Sequence, residues 1–165
     1  MKKTLIMLAV LTIIFAGCGA SEKIAETTAE KAIENATGAE VDIDNSNVNI
    51  TTADGNTITT GQNISLPDDF PSDVPVYTDK KILAASTTAE NQFALTMSST
   101  DSYNEIDEFY QTELESNGWT IESHNIMAIS GNTSIFVAKK DGRNLSVGIY
   151  SYEENDEISI VINVE

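Results

Sequence analysis

One cysteine and one histidine are present in 165 residues, so the chain has few side chains suited to soft-metal binding or proton transfer. No HExxH, no CxxC and no histidine pair occurs, and a zinc site has nothing to converge on. Asp42-x-Asp44 opens like a calcium loop. Asn47 then stands where that loop needs glycine, and Ala53 where it needs a bidentate glutamate. The run Glu153-Glu154-Asn155-Asp156-Glu157 reads as a solvated hairpin tip. There is no Gly-x-Ser-x-Gly elbow, and Gly55 and Gly61 sit in turns with no helix behind them to cradle a phosphate. With 26 acidic residues, carboxylate pairs are everywhere and none stands out as acid and base. His124 lies between Ser123 and Asn125 in an expected strand, on the exposed face with Thr120 and Glu122. The expectation is no catalytic residue, no cofactor and no metal.

Cys18 is different, because its position specifies a chemistry. Met1-Lys2-Lys3 is basic, Leu5 to Phe15 is apolar, and Phe15-Ala16-Gly17 leads into the cysteine. The apolar run is about 13–15 residues, short of the roughly 20 that a spanning helix requires. Residues 1–17 therefore read as a secretory signal peptide. The tetrapeptide Phe15-Ala16-Gly17-Cys18 resembles the lipobox of bacterial lipoproteins, with Phe15 where that family favours leucine. The resemblance implies cleavage before Cys18, a diacylglyceryl group on its thiol, and an acyl chain such as palmitate on the new amino group. It places the chain outside the cytoplasm, lipid-anchored to a bacterial membrane. With Gly19 following, that is the outer membrane if the host is diderm. Acyl chains contribute about 0.8 kcal/mol per buried CH₂, so two or three anchor stably. A lone cysteine forms no internal disulfide, and lipidation accounts for its solitude.

The charge narrows the partners. The chain carries −17, and losing Lys2 and Lys3 with the signal leaves −19. Such a field repels nucleic acid and anionic headgroups, so no nucleic acid partner is expected. The lipid on Cys18 is the expected membrane contact, with another envelope protein or a glycan as the further partner.

The elements follow from periodicity. Ser21 to about Ala36 suits a helix stopped by Gly38, with a thin apolar side of Ile24, Thr28, Ala32, Ile33 and Ala36. Residues 41–65 alternate polar and β-branched side chains, a short β-meander with turns at 45–47 and 54–56. Residues 66–75 hold all three prolines and form a stiff connector. From residue 76 onward, strands are expected near Lys81–Thr88 and Gln92–Ser98. A helix follows at Ser102–Asn117, with a Ser102/Glu105 capping box and an apolar stripe of Tyr103, Ile106, Phe109, Tyr110 and Leu114. Four more strands complete the order ββαββββ, an antiparallel sheet with one packed helix. The fold class is α+β. The expected organisation is signal 1–17, lipidated N-terminus with helix and short strands 18–65, connector 66–75 and α+β domain 76–165.

The stretch Leu66-Pro67-Asp68-Asp69-Phe70-Pro71-Ser72-Asp73-Val74-Pro75-Val76-Tyr77, with Asp101-Ser102, Phe109-Tyr110, Leu114 and Gly118-Trp119, resembles a pattern in small uncharacterised bacterial lipoproteins. That resemblance implies fold and location and brings no catalytic residues. One surface is singled out by alternation: Phe136, Tyr150 and Tyr152 are expected on the sheet face away from the helix, where exposed aromatics favour a partner. The functional expectation is a non-enzymatic, lipid-anchored binding or scaffolding module of the cell envelope. The alternative is an envelope hydrolase acting on wall or glycan through carboxylates that the sequence does not identify.

Overall fold

A computed structural model describes residues 22–44, 46–62, 64–128, 131–152 and 156–165. The expected signal segment, Cys18, Ser21 and Glu153-Glu154-Asn155 lie outside the described residues. The elements are α1 (Glu22–Thr37), β1 (Glu40–Asp44), β2 (Asn47–Thr51), β3 (Thr57–Thr60), β4 (Lys81–Thr87) and β5 (Phe93–Ser99). They continue with α2 (Tyr103–Ser116), β6 (Thr120–Ala128), β7 (Asn132–Lys140), β8 (Arg143–Tyr150) and β9 (Ile158–Val164). All nine strands form one antiparallel sheet in the order β1-β2-β3-β4-β5-β9-β8-β7-β6. The fold is thus a mostly-sheet α+β arrangement with two helices among the described residues. The order ββαββββ does not describe this sheet, because the meander joins it: β3 pairs directly with β4, Thr59 opposite Ala85.

The core lies between α2 and one face of the sheet. Ile106, Tyr110 and Leu114 of α2 are wholly buried, set one above another by the helical repeat. They meet a core that includes Met97, Phe136, Val147, Ile149, Ile160 and Ile162, also wholly buried. Each such side chain contributes roughly 1.5–3 kcal/mol. The helix start is fixed locally. Ser102 Oγ accepts from the Glu105 amide, and Glu105 Oε2 accepts from the Ser102 amide at 3.1 Å. The Ser102 hydroxyl, which donates to Glu105 Oε2 at 2.7 Å, and after it the Ser102 amide hold the Glu105 carboxyl below its ordinary pKa.

The connector is fastened rather than loose. Phe70 and Val74 are buried, and Phe70 meets Phe93 edge-on at 5.6 Å. Asp73 takes Arg143 on both carboxylate oxygens, with Nη1–Oδ1 at 3.1 Å, and Lys140 Nζ at 2.7 Å. Its backbone carbonyl accepts from Trp119 Nε1 at 2.7 Å, and the Arg143 guanidinium lies 5.0 Å from the centre of the Trp119 ring. The two cations hold the Asp73 carboxyl far below the usual carboxylate range, Arg143 contributing most. A second tie runs from Tyr77 Oη, which donates to Asp101 Oδ2 at 2.6 Å. Burial first, and then Asp101, push the Tyr77 phenol up to about 12.

α1 packs at the β1 edge, with Ile33 the buried part of the thin apolar side expected for it. Thr28, Ala32 and Ala36 are exposed, and Ile33 alone among the expected residues of described burial is buried. The contact is completed by glutamates. Glu30 Oε1 accepts from the Ile43 amide at 2.9 Å, and Glu34 Oε1 from the Val41 amide at 3.3 Å. Residues four apart on a helix are separated by about 6 Å, close to the two-residue repeat of a strand at about 6.6 Å. The pair therefore satisfies two outward amides of an edge strand at once.

Candidate functional site

Following one face of the sheet across its strands locates the site. On β5, Leu95 and Phe93 point into the core. Their partners on β4 are Ala85 and Thr87, whose partners on β3 are Thr59 and Thr57. Opposite these on β2 stand Asn49 and Thr51. Since side chains alternate across a sheet, all of these share the core-facing side. The face turns from apolar to polar as it passes β4, and α2 does not reach that far: its contacts are with β6, β7 and β8.

Over this polar end lies a groove of about 660 Å³, open to solvent, with Ile64 and Ser65 and, from the connector, Pro67 and Asp69 on its rim. Thr57, Thr59, Thr87, Asn49, Thr51 and Ser65 form no side-chain hydrogen bond to any described residue. Among the described residues, no lysine, arginine or histidine lines the groove, and Asp69 is its one carboxylate. Gly61 makes the chain path possible. At φ +150° it passes so close to the β1–β2 hairpin that a Cβ would strike Asn47 Oδ1 and the Ser46 carbonyl, with Asn47 Cα at 2.8 Å. The neighbouring Gln62 amide donates to Asn47 Oδ1 at 3.0 Å.

A second cluster has residue types that could do chemistry, and its geometry gives it a structural task. His124 Nε2 lies 3.0 Å from Asp107 Oδ1 of α2 and 2.8 Å from Ser134 Oγ of β7. The imidazole stacks on Phe136, centroids 3.9 Å apart. The expectation that His124 lies exposed with Thr120 and Glu122 is therefore corrected. The register shifts between Ile121 and Ser123, a bulge at Glu122 that reverses the alternation and turns His124 towards α2. A catalytic triad needs the orienting carboxylate and the nucleophile on opposite imidazole nitrogens. Here both partners share one nitrogen, and Ser134 has no exposed surface. The Tyr103 hydroxyl is buried nearby, and burial raises its pKa. The cluster pins α2 to the edge strand. No group of His, Cys, Asp or Glu suited to a metal occurs among the described residues.

The expected aromatic surface does not assemble. Phe136 is wholly buried, opposite Val147 under α2, so it is unavailable to a partner. The inward positions of β7 are Ser134, Phe136 and Ala138, and the His124 bond satisfies the polar one. Ile135 and Val137 therefore take the outer face, contrary to the simplest hydrophobic reading. Tyr150 is half-buried on that outer face, its ring folded over Gly148, where a Cβ would come within 2.7 Å of Cε2. Tyr152 is 54% exposed beyond the end of β8. Cys18 lies outside the described residues. No described helix is long and apolar enough to cross a membrane.

Sequence reasoning misses the groove residues because their meaning depends on pairing. The visible signal is the near-repeat Ile50-Thr51-Thr52 and Ile58-Thr59-Thr60, which antiparallel pairing turns into adjoining rows of polar side chains. Comparison with known proteins gives one match: a family model described as START domain-like fits residues 78–157, just under half of the chain. That segment runs from before β4 through β8 and includes α2. It is consistent with a sheet-plus-helix fold, and it contains the His124 cluster but only one wall of the groove. No curated protein and no solved structure matches.

Proposed function

We propose that the chain is a bacterial lipoprotein, held by acylated Cys18 on the outer face of a membrane, whose folded part binds a ligand without turning it over. The observation that carries the binding reading is the groove over β2–β4. It has the size of a small-ligand site, roughly 300–1,000 Å³, and a floor of polar side chains with no hydrogen-bond partner among the described residues. α1 begins at Glu22, so an anchor at Cys18 sets the fold against the headgroups and the lipid alone need hold it. The separation of signal, short N-terminal region, connector and C-terminal α+β region in the sequence belongs to the same reading. The hydrolase alternative acts through carboxylates, and among the described residues lining the groove Asp69 is the one carboxylate, where an acid and base pair needs two.

Two measurements test this. Labelling cells with an alkyne analogue of palmitate should tag the protein, and Cys18→Ala should abolish the tag and release the chain or leave its precursor. A variant that matures normally and stays on the membrane contradicts the anchor. For binding, the mature chain is sedimented with isolated wall sacculi stripped of protein. Retention that is lost on filling the groove with Thr59→Trp supports the reading, and absence of retention contradicts it.

A further inference from the structure

We infer that the groove takes an uncharged, hydroxyl-rich ligand, a short stretch of glycan. The inference rests on the binding reading above and names the ligand class for that site.

The lining argues by elimination. A phosphate or carboxylate ligand needs a cation or a helix N-terminus, and among the described residues the groove presents neither lysine, arginine nor histidine, in a chain of net charge −17. A divalent cation needs several oxygen ligands with more than one carboxylate, and Asp69 is alone. An acyl chain would desolvate Thr57, Thr59, Thr87, Asn49 and Thr51 without replacing their bonds to water, at a cost of about 1–3 kcal/mol for each polar group. An extended peptide cannot add as a strand, because β2, β3 and β4 are each paired on both sides.

A neutral sugar meets the requirements that remain. Each threonine hydroxyl both donates and accepts, and the Asn49 amide does the same through separate atoms. The rows Asn49–Thr59–Ala85 and Thr51–Thr57–Thr87 run across the strands. They form a grid spaced about 5 Å between strands and about 7 Å along them, so neighbouring polar groups can reach opposite edges of one sugar ring. Ile64 and Pro67 at the rim offer apolar surface for its C–H faces.

The test uses the mature lipidated chain in detergent micelles with threonine methyl groups labelled for NMR. It is titrated separately with chitotriose, cellotriose, inorganic phosphate and calcium chloride at millimolar concentration. Saturable shifts of the Thr57, Thr59 and Thr87 methyls with a neutral trisaccharide are expected, and loss of the Thr87 shift in Thr57→Ala/Thr59→Ala with the remaining spectrum preserved. Shifts of these methyls by phosphate or calcium in place of a trisaccharide overturn the ligand class and leave the binding reading standing. A trisaccharide that shifts none of the three, in a chain that sacculi still retain, also overturns it. A chain that sacculi do not retain contradicts the binding reading itself.

Discussion

One face of one sheet serves two purposes in this molecule. Within the core it carries Leu95, Met97, Ile160 and Ile162, none more than 1% exposed. Past β4 it carries Thr57, Thr59, Asn49 and Thr51 under an open groove. Backbone pairing is continuous across the change, so the difference lies in the side chains alone. Covering the apolar half removes surface from water and stabilises the fold. Covering the polar half with a helix would strand hydroxyls and an amide without partners. The same alternation therefore produces a core at one end and a wet, bondable surface at the other.

The comparison can be broken most forcefully by truncating one residue on each side of the change. Phe136→Ala, beneath α2, should cost about 3–5 kcal/mol in urea unfolding. Thr59→Ala should stay within about 0.5 kcal/mol. Similar losses for the two would mean that the polar end is core after all.

Next in size is the fastening of the groove's rim. Asp73→Asn, which leaves Arg143 and Lys140 unpaired, should cost about 1–3 kcal/mol at neutral pH, between exposed and buried pairs. Because the folded carboxyl titrates far below its unfolded value, its contribution is fully present above the unfolded value of about 4. It is lost as pH falls through the folded value. The variant should show a weaker fall in stability below pH of about 4, and an unchanged acid profile would contradict this account of Asp73.

How much of this was legible in the sequence depended on how local the signal was. The Ser102/Glu105 box and the stripe Ile106, Tyr110 and Leu114 lie within a few turns of one helix, and they place α2 at Tyr103–Ser116 against an expected Ser102–Asn117. The proline-bearing connector was equally visible. His124 was misjudged because a single extra residue at Glu122 reverses the face of everything after it in β6, and no local composition announces that bulge. Phe136 was misjudged because its inward neighbour Ser134 is polar, tolerable only through a histidine ten residues away. The groove was illegible for the same reason at larger scale. Thr59 and Ala85 are 26 positions apart, and nothing before the register is known sets the meander beside β4.

A smaller effect sharpens the contrast between the sheet's two edges. α1 supplies carboxylate acceptors to the β1 edge, whereas β6 leaves Ile126 61% and Met127 45% exposed. Glu30→Ala with Glu34→Ala should lose about 1 kcal/mol per hydrogen bond in thermal or urea unfolding, and the glutamine pair should recover most of it by keeping the acceptor oxygens. No recovery would show that charge, not edge capping, is the source. Smallest in energetic terms is the phenol at the connector's end. Spectrophotometric titration should find Tyr77 ionising at about 12, and Tyr77→Phe should remove that step alone. Ionisation of every tyrosine near its ordinary value of about 10 would contradict the burial and the Asp101 bond.

The central claim, that the polar end of the sheet is a ligand site and not unfinished core, meets its most direct test in sedimentation of the mature chain with protein-stripped sacculi. The account predicts that Thr57→Ala/Thr59→Ala, at unchanged stability, binds at least about tenfold more weakly than the parent chain, a loss of about 1.4 kcal/mol. Equal retention of the two would contradict it.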